Sequence, residues 1–188
     1  KHPIKPEEVE KITVKGSFMR LPQFPNQDPQ GPINPQFSAS HPIAMLVFGI
    51  PPGPDWYRPE VVRNPKINEF RHKIAIEIDP GVMSRDIAAQ ISQSPRVIKR
   101  VPTTVEVVAK GTTFSESVDY AKGDPPSWDP QFQMTEDDLK GKFRINAGSL
   151  LSTSLQWREK LDEIIQMVFE IEKIADINQL TRLLSASN

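Results

Sequence analysis

An α+β fold is predicted: a small sheet with helices on one face, followed by an all-helical C-terminal tail. Three observations predict it. Apolar residues recur with period two at 10–16, 73–79 and 105–120, the spacing of strands with one buried face. Helical spacing fills the interval between the first two runs. From residue 135 onward only helical spacing is left.

Glu10 to Gly16 reads as a strand with Ile12 and Val14 inward. Residues 18–36 form a long loop rich in Pro, Gln and Asn. A helix is expected over 38–49. Ile43, Leu46, Val47 and Ile50 supply its apolar stripe, Pro42 its first turn and Gly49 its C-terminal end. A second helix begins at Asn64-Pro65, a cap followed by proline at the first helical position, and buries Ile67 and Phe70. Lys73 to Asp79 is a strand with Ile74, Ile76 and Ile78 facing in and Lys73, Glu77 and Asp79 facing out. Ser84 can cap a short helix carrying Ile87 and Ile91.

Residues 97–120 read as a hairpin. Val105, Val107 and Ala109 lie on one face of its first strand, with Phe114, Val118 and Tyr120 in its second. Lys110-Gly111 forms the two-residue turn, where glycine supplies the positive φ. Lys122-Gly-Asp-Pro125 reads as a further turn of the same kind. Thr135-Glu-Asp-Asp138 is a capping box that opens a helix with Leu139, Phe143, Ala147 and Leu150 on one stripe. A longer helix follows over 154–174, with Leu161, Ile164, Ile165, Val168 and Ile171 apolar. Asp176 caps a last one bearing Ile177, Leu180, Leu183 and Leu184. Such helices gain most of their stability from packing an apolar face, so the tail is expected to dock on a larger helical body. The organisation is therefore a 1–120 α+β small domain, a 121–134 linker and 135–188 C-terminal helices.

Composition narrows the function. The formal net charge is −1 and the pI about 6.4, so no nucleic-acid or anionic-membrane footprint is expected. No apolar run reaches the 18 residues of a membrane span. Cysteine is absent, which excludes disulfides, thiolate catalysis and a cysteine-ligated iron–sulfur cluster within the chain. Only three histidines occur, His2, His41 and His72, none at metal-ligand spacing, so no metal site and no cofactor is expected. The prolines, 19 in all, cluster at 22–35, 51–59 and 125–130, and these stretches read as loops.

Four residues stand out as candidates. His41 lies at a helix N-terminus beside Pro42, where the dipole disfavours imidazolium and a neutral ring able to accept a proton is expected. Ser38 and Ser40 sit on the same turn and read either as donors to a substrate carboxylate or as plain helix caps. Arg71, in the basic run Arg71-His72-Lys73, reads either as a carboxylate-binding fork or as a solvated helix end.

Three blocks then carry a resemblance. They are Pro6 to Val14; Phe37-Ser38-Ala39-Ser40-His41-Pro42-Ile43-Ala44 with Asn64-Pro65 and the strand at 73–79; and the hairpin with Gly123-Asp124-Pro125 and Lys142-Phe143. In order and spacing they resemble the C-terminal part of the MmgE/PrpD family, which includes 2-methylcitrate dehydratases, cis-aconitate decarboxylases and iminodisuccinate epimerases. The resemblance implies a lid domain and the returning helices of a two-domain enzyme. That enzyme would be a cofactor-independent lyase or isomerase acting on a small di- or tricarboxylic acid by acid/base chemistry. It also implies an N-terminal helical domain as partner, a homodimer and a cytoplasmic location. His41 would be catalytic, and Ser38, Ser40 and Arg71 substrate-binding. The family motif Phe-Ser-x-x-Tyr reads Phe37-Ser-Ala-Ser-His41 here, with histidine in the place of tyrosine. The family's basic, proline-rich stretch ending in Thr-His has no counterpart in the chain and would lie upstream of Lys1. The alternative is a non-catalytic interaction module of the same fold, pairing with a separate helical subunit.

Overall fold

The fold was read from a computed structural model that describes residues 4–16, 26–29, 34–82, 90–91, 102–123, 130–148 and 155–185. The chain divides into two compact units, Lys1–Met134 and Thr135–Asn188.

The first unit is α+β. Strand β1 (Val9–Gly16) lies between β2 (Ile74–Ile78), which it pairs in parallel, and β3 (Thr103–Ala109), which it pairs antiparallel. β4 (Thr112–Val118) completes the order β2-β1-β3-β4. Period two explains which side is covered. Ile12, Val14 and Ile74 are buried together with Ala44, Met45, Ile67 and Phe70 of the helices, and Ile76, Val105 and Val107 pack against them. The opposite side carries charge: Lys15 Nζ lies 2.7 Å from Glu106 Oε1, and Lys11 Nζ lies 4.0 Å from Glu77. Ile78, expected inward, is 45% exposed. It ends its strand opposite Gly16, which offers no side chain to pack against.

The hairpin turn is sharper than glycine alone requires. Both Lys110 (φ 51°) and Gly111 (φ 70°) are left-handed, the pair of positive φ values that matches the strand twist. Glu8 pairs with Lys110 at 2.7 Å, and Glu10 accepts from the Gly111 amide at 2.8 Å. Tyr120 lies past the end of β4 and packs against Phe132, ring centroids 5.9 Å apart. Gly123 has φ 103°, as a turn there requires; Asp124 and Pro125 lie outside the described residues.

The connection from β1 to β2 holds the helices. The expected helix over 38–49 is shorter, α2 (Ser40–Val47), and a one-turn α1 (Asn34–Phe37) precedes it in the stretch expected to be loop. Gly49, at φ 69°, ends α2 as expected. The phase of α2 is partly the expected one: Ile43, Val47 and Ile50 pack half-buried against the core, but the fully buried residues are Ser40, His41, Ala44 and Met45, and Leu46 is 58% exposed. A 3-10 turn at Pro54–Tyr57 and α3 (Pro59–Val62) occupy the second proline cluster, also expected to be loop. Proline starts each of these two elements, where its missing amide costs nothing. α4 (Pro65–Arg71) is capped by Asn64, whose Oδ1 accepts from the Lys66 amide at 3.0 Å, and it buries Ile67 and Phe70. After β2, Asp79 Oδ1 accepts from the amides of Gly81 (2.8 Å) and Val82 (3.3 Å). Ser84 and Ile87 lie outside the described residues, and Ile91 is exposed.

The second unit holds α5 (Glu136–Gly148), α6 (Leu155–Phe169), a 3-10 turn at Ile171–Lys173 and α7 (Asn178–Leu184). The single helix expected over 154–174 thus ends at Phe169. Thr135 and Asp138 form the expected reciprocal cap: the Asp138 amide donates to Thr135 Oγ1 (3.1 Å) and the Thr135 amide to Asp138 Oδ2 (2.9 Å). Asp176 Oδ1 accepts from the Asn178 amide at 2.9 Å. Leu161, Ile164, Ile165 and Leu180 are buried, whereas Leu139, Val168, Ile171, Ile177 and Leu184 are exposed. Leu150 lies outside the described residues. Among the described residues no helix is long and apolar enough to cross a membrane.

Candidate functional site

All four candidate residues fall in one buried polar cluster beneath the N-terminus of α2. Ser38, Ser40, His41 and Arg71 are each at most 1% exposed. Two facts bring them together. Ser40 and His41 open α2, and Arg71 closes α4, the helix packed beside it.

His41 is held at both nitrogens. Nδ1 lies 3.0 Å from Arg71 Nη1, and Nε2 lies 2.8 Å from the Trp56 carbonyl oxygen. A guanidinium has only N–H donors, so Nδ1 accepts and carries no proton. A carbonyl only accepts, so Nε2 carries the proton and donates. The ring is therefore the neutral Nε2–H tautomer. Burial holds the His41 pKa below its ordinary value, the nearby Arg71 charge adds to that, and the bond to Trp56 opposes it. The Tyr57 ring closes the same side, its centroid 6.0 Å from that of His41.

Arg71 is the hub. Its Nε donates to the Gln27 carbonyl (2.8 Å), Nη1 to His41 and to the Val62 carbonyl (3.3 Å), and Nη2 to Asn68 Oδ1. The solvated-helix-end reading is thereby corrected, because these partners satisfy the guanidinium indoors. Burial pulls its pKa down and the Asp28 charge opposes that, yet a guanidinium stays protonated in proteins. The next two residues behave differently. His72 Nε2 lies 3.0 Å from Asp28 Oδ1, and Lys73 donates to the Val9 carbonyl at 2.8 Å.

Ser38 and Ser40 do not cap α2, and the cap reading is corrected. The residue before the helix is Ala39, with no side-chain cap bond. Both hydroxyls instead donate to the Asn26 carbonyl, at 2.5 and 3.0 Å, and lie 2.9 Å from each other. The segment 26–29 is thus fastened from three sides: by the serines at Asn26, by Arg71 at Gln27, and by Gln27 Nε2 donating to the Ile74 carbonyl at 2.6 Å.

Sequence reasoning missed Asn26, Gln27, Trp56, Val62 and Asn68. Asn68 was discoverable, since it lies three residues before Arg71 on a helix, the spacing of facing side chains. The other four contribute backbone carbonyls to the cluster, for which side-chain identity gives no signal. Arg96, Lys99 and Arg100, a second basic group that reads from the sequence as surface, lie outside the described residues. Among the described residues, no three His, Cys, Asp or Glu side chains gather so that they could hold a metal ion.

Sheet order and cluster define a small α+β domain with a buried, hydrogen-bonded polar cluster at the start of its inner helix. The MmgE/PrpD C-terminal domain family matches residues 1–170, and the chain belongs to that family. It is also similar to the cis-aconitate decarboxylase of Mus musculus, 26% identical over 162 residues, which are 86% of this chain and 28% of that protein. The chain thus spans little more than a quarter of the length of that relative.

Proposed function

We propose that this chain is the C-terminal portion of a cofactor-independent lyase or isomerase that acts on a small di- or tricarboxylic acid by acid/base chemistry. Family membership over residues 1–170 carries this reading. A relative named for decarboxylating cis-aconitate supports the substrate class. The motif Phe37–His41 supports a site at the first turn of α2, where a neutral imidazole shares a cluster with two hydroxyls and a guanidinium. In this proposal His41 meets the substrate, and Ser38, Ser40 and Arg71 shape the pocket wall that receives its carboxylates. Residues 1–120 cover the site. Residues 135–188 pack on an N-terminal helical domain, in the same or a separate chain, and the enzyme is a homodimer.

The exposed apolar residues of the second unit support a helical partner. Leu139, Phe143, Ile164, Val168 and Phe169 line an open apolar groove of about 260 Å3 there, which a helix of that partner fills in this proposal.

A second reading, a non-catalytic interaction module, is favoured by one observation. His41 is wholly buried with both nitrogens bonded, so substrate contact requires the Trp56 carbonyl to give way. The two readings separate in one assay. The protein carrying this chain and its helical domain is incubated with a panel of di- and tricarboxylic acids, and loss of water, loss of CO2 or exchange of a carbon-bound proton is followed by NMR. Turnover that falls in His41→Ala supports the enzyme. Absence of any reaction across the panel supports the module.

A further inference from the structure

We propose that Arg71 is a positioning residue that fixes His41 as the neutral Nε2–H tautomer, so that the atom His41 offers a substrate is a hydrogen-bond donor and not a lone pair. This rests on the reading of His41 as the group that meets the substrate. Three observations carry it.

First, the Nδ1 lone pair is already in use. Arg71 Nη1 approaches it at 3.0 Å, and Arg71 is itself fixed by Gln27, Val62 and Asn68. A proton on Nδ1 would set two N–H groups against each other in a buried place, a cost well above that of a lost neutral bond. Second, Nε2 faces an acceptor. The Trp56 carbonyl oxygen, 2.8 Å away, stands where an oxygen of a carboxylic acid would stand if the 54–57 turn gave way. Third, the surroundings of the ring disfavour imidazolium on balance: burial and the Arg71 cation from α4 act against the charged form, and the Trp56 carbonyl from the 54–57 turn opposes them, while the Tyr57 ring closes the same side. Ser38 and Ser40, at the ring's own turn, donate elsewhere, to Asn26.

The chemical consequence is specific. A neutral imidazole that donates through Nε2–H cannot abstract a proton with that atom. It stabilises negative charge that develops on an oxygen, as when the carbon beside a carboxylate loses a proton or CO2. The group that removes the proton must then be another one, outside this cluster.

The test needs no substrate. Long-range 1H–15N spectra of the 15N-labelled full chain at pH 8, with the His41 ring assigned through His41→Gln, should show Nε2 protonated and Nδ1 bare. In Arg71→Met the ring should populate both tautomers, whereas Arg71→Lys, which keeps a cationic donor, should restore the Nε2–H form. A parent spectrum with Nδ1–H overturns the proposal whether or not the variants fold. So does a folded Arg71→Met with the parent's tautomer. Absence of catalytic activity alongside the expected tautomer would instead overturn the functional reading and leave the positioning role intact.

Discussion

Arg71 and His41, 30 residues apart in sequence, share a 3.0 Å hydrogen bond in which the arginine can only donate. That one-sidedness sets the protonation of the imidazole, and much of the behaviour of this domain should follow from it.

Stability should fall on the acid side of neutrality through His41. Its folded pKa lies below the ordinary 6.5, because of burial first and the Arg71 charge next. Below pH 6.5 the unfolded chain therefore binds a proton that the folded chain refuses until its own lower pKa is reached. The contribution is complete above that value. It is lost as pH falls from there toward the folded pKa, by at most about 1.4 kcal/mol per pH unit, one proton's worth. Urea unfolding of the parent and of His41→Gln between pH 8 and pH 5 measures it. The parent should lose more stability than the variant, and equal slopes would remove His41 from the account.

Replacing Arg71 should be costly out of proportion to any surface arginine. Arg71→Met leaves the Gln27 and Val62 carbonyls, His41 Nδ1 and Asn68 Oδ1 without their donor. Each buried unsatisfied group costs about 1–3 kcal/mol, so a total loss of at least about 3 kcal/mol is expected in chemical denaturation. Arg71→Lys should recover part of it, because one ammonium cannot reach all four acceptors. A loss under about 1 kcal/mol for Arg71→Met would mean that these bonds carry little.

The hairpin offers a test of backbone strain alone. A Cβ at Gly111 would meet nothing within 4 Å, so the cost of Gly111→Ala comes from its φ of 70°. About 1–2 kcal/mol is expected for an L-residue held left-handed, with Gly111→Asn closer to the parent. An alanine variant as stable as the parent would show that the turn relaxes to another type.

What the sequence reveals follows from which signals are local. β1, β2 and the hairpin are legible because Ile12, Val14, Ile74, Val105 and Val107 alternate over a few residues. α4 is legible because Asn64-Pro65 is a cap and a first-turn proline together. The phase of α2 is only partly legible. Apolar spacing points to Ile43, Leu46, Val47 and Ile50, and all but Leu46 pack against the core, but the helix turns His41, Ala44 and Met45 fully inward. A polar side chain can take a core position once its partners are in place, and the partner here is Arg71, in another element. The same distance hides the role of Arg71, which by its neighbours in sequence belongs to a basic helix end. α1 and α3 are missed because proline, counted as a breaker, also opens a helix. Ser38, Ser40 and His41 come from the motif and Arg71 from the basic run at 71–73; their clustering comes from the fold.

The central claim is that His41 serves a carboxylic-acid substrate as a hydrogen-bond donor. The most direct measurement is kcat for the protein carrying this chain and its helical domain, on whichever di- or tricarboxylic acid it turns over, in the parent, His41→Ala and His41→Tyr. Loss of one donor to a developing oxyanion should lower kcat by about 10²–10³-fold in His41→Ala. His41→Tyr, whose hydroxyl can also donate, should retain much more activity than His41→Ala. Equal kcat in parent and His41→Ala would contradict the account and leave His41 a buried structural partner of Arg71.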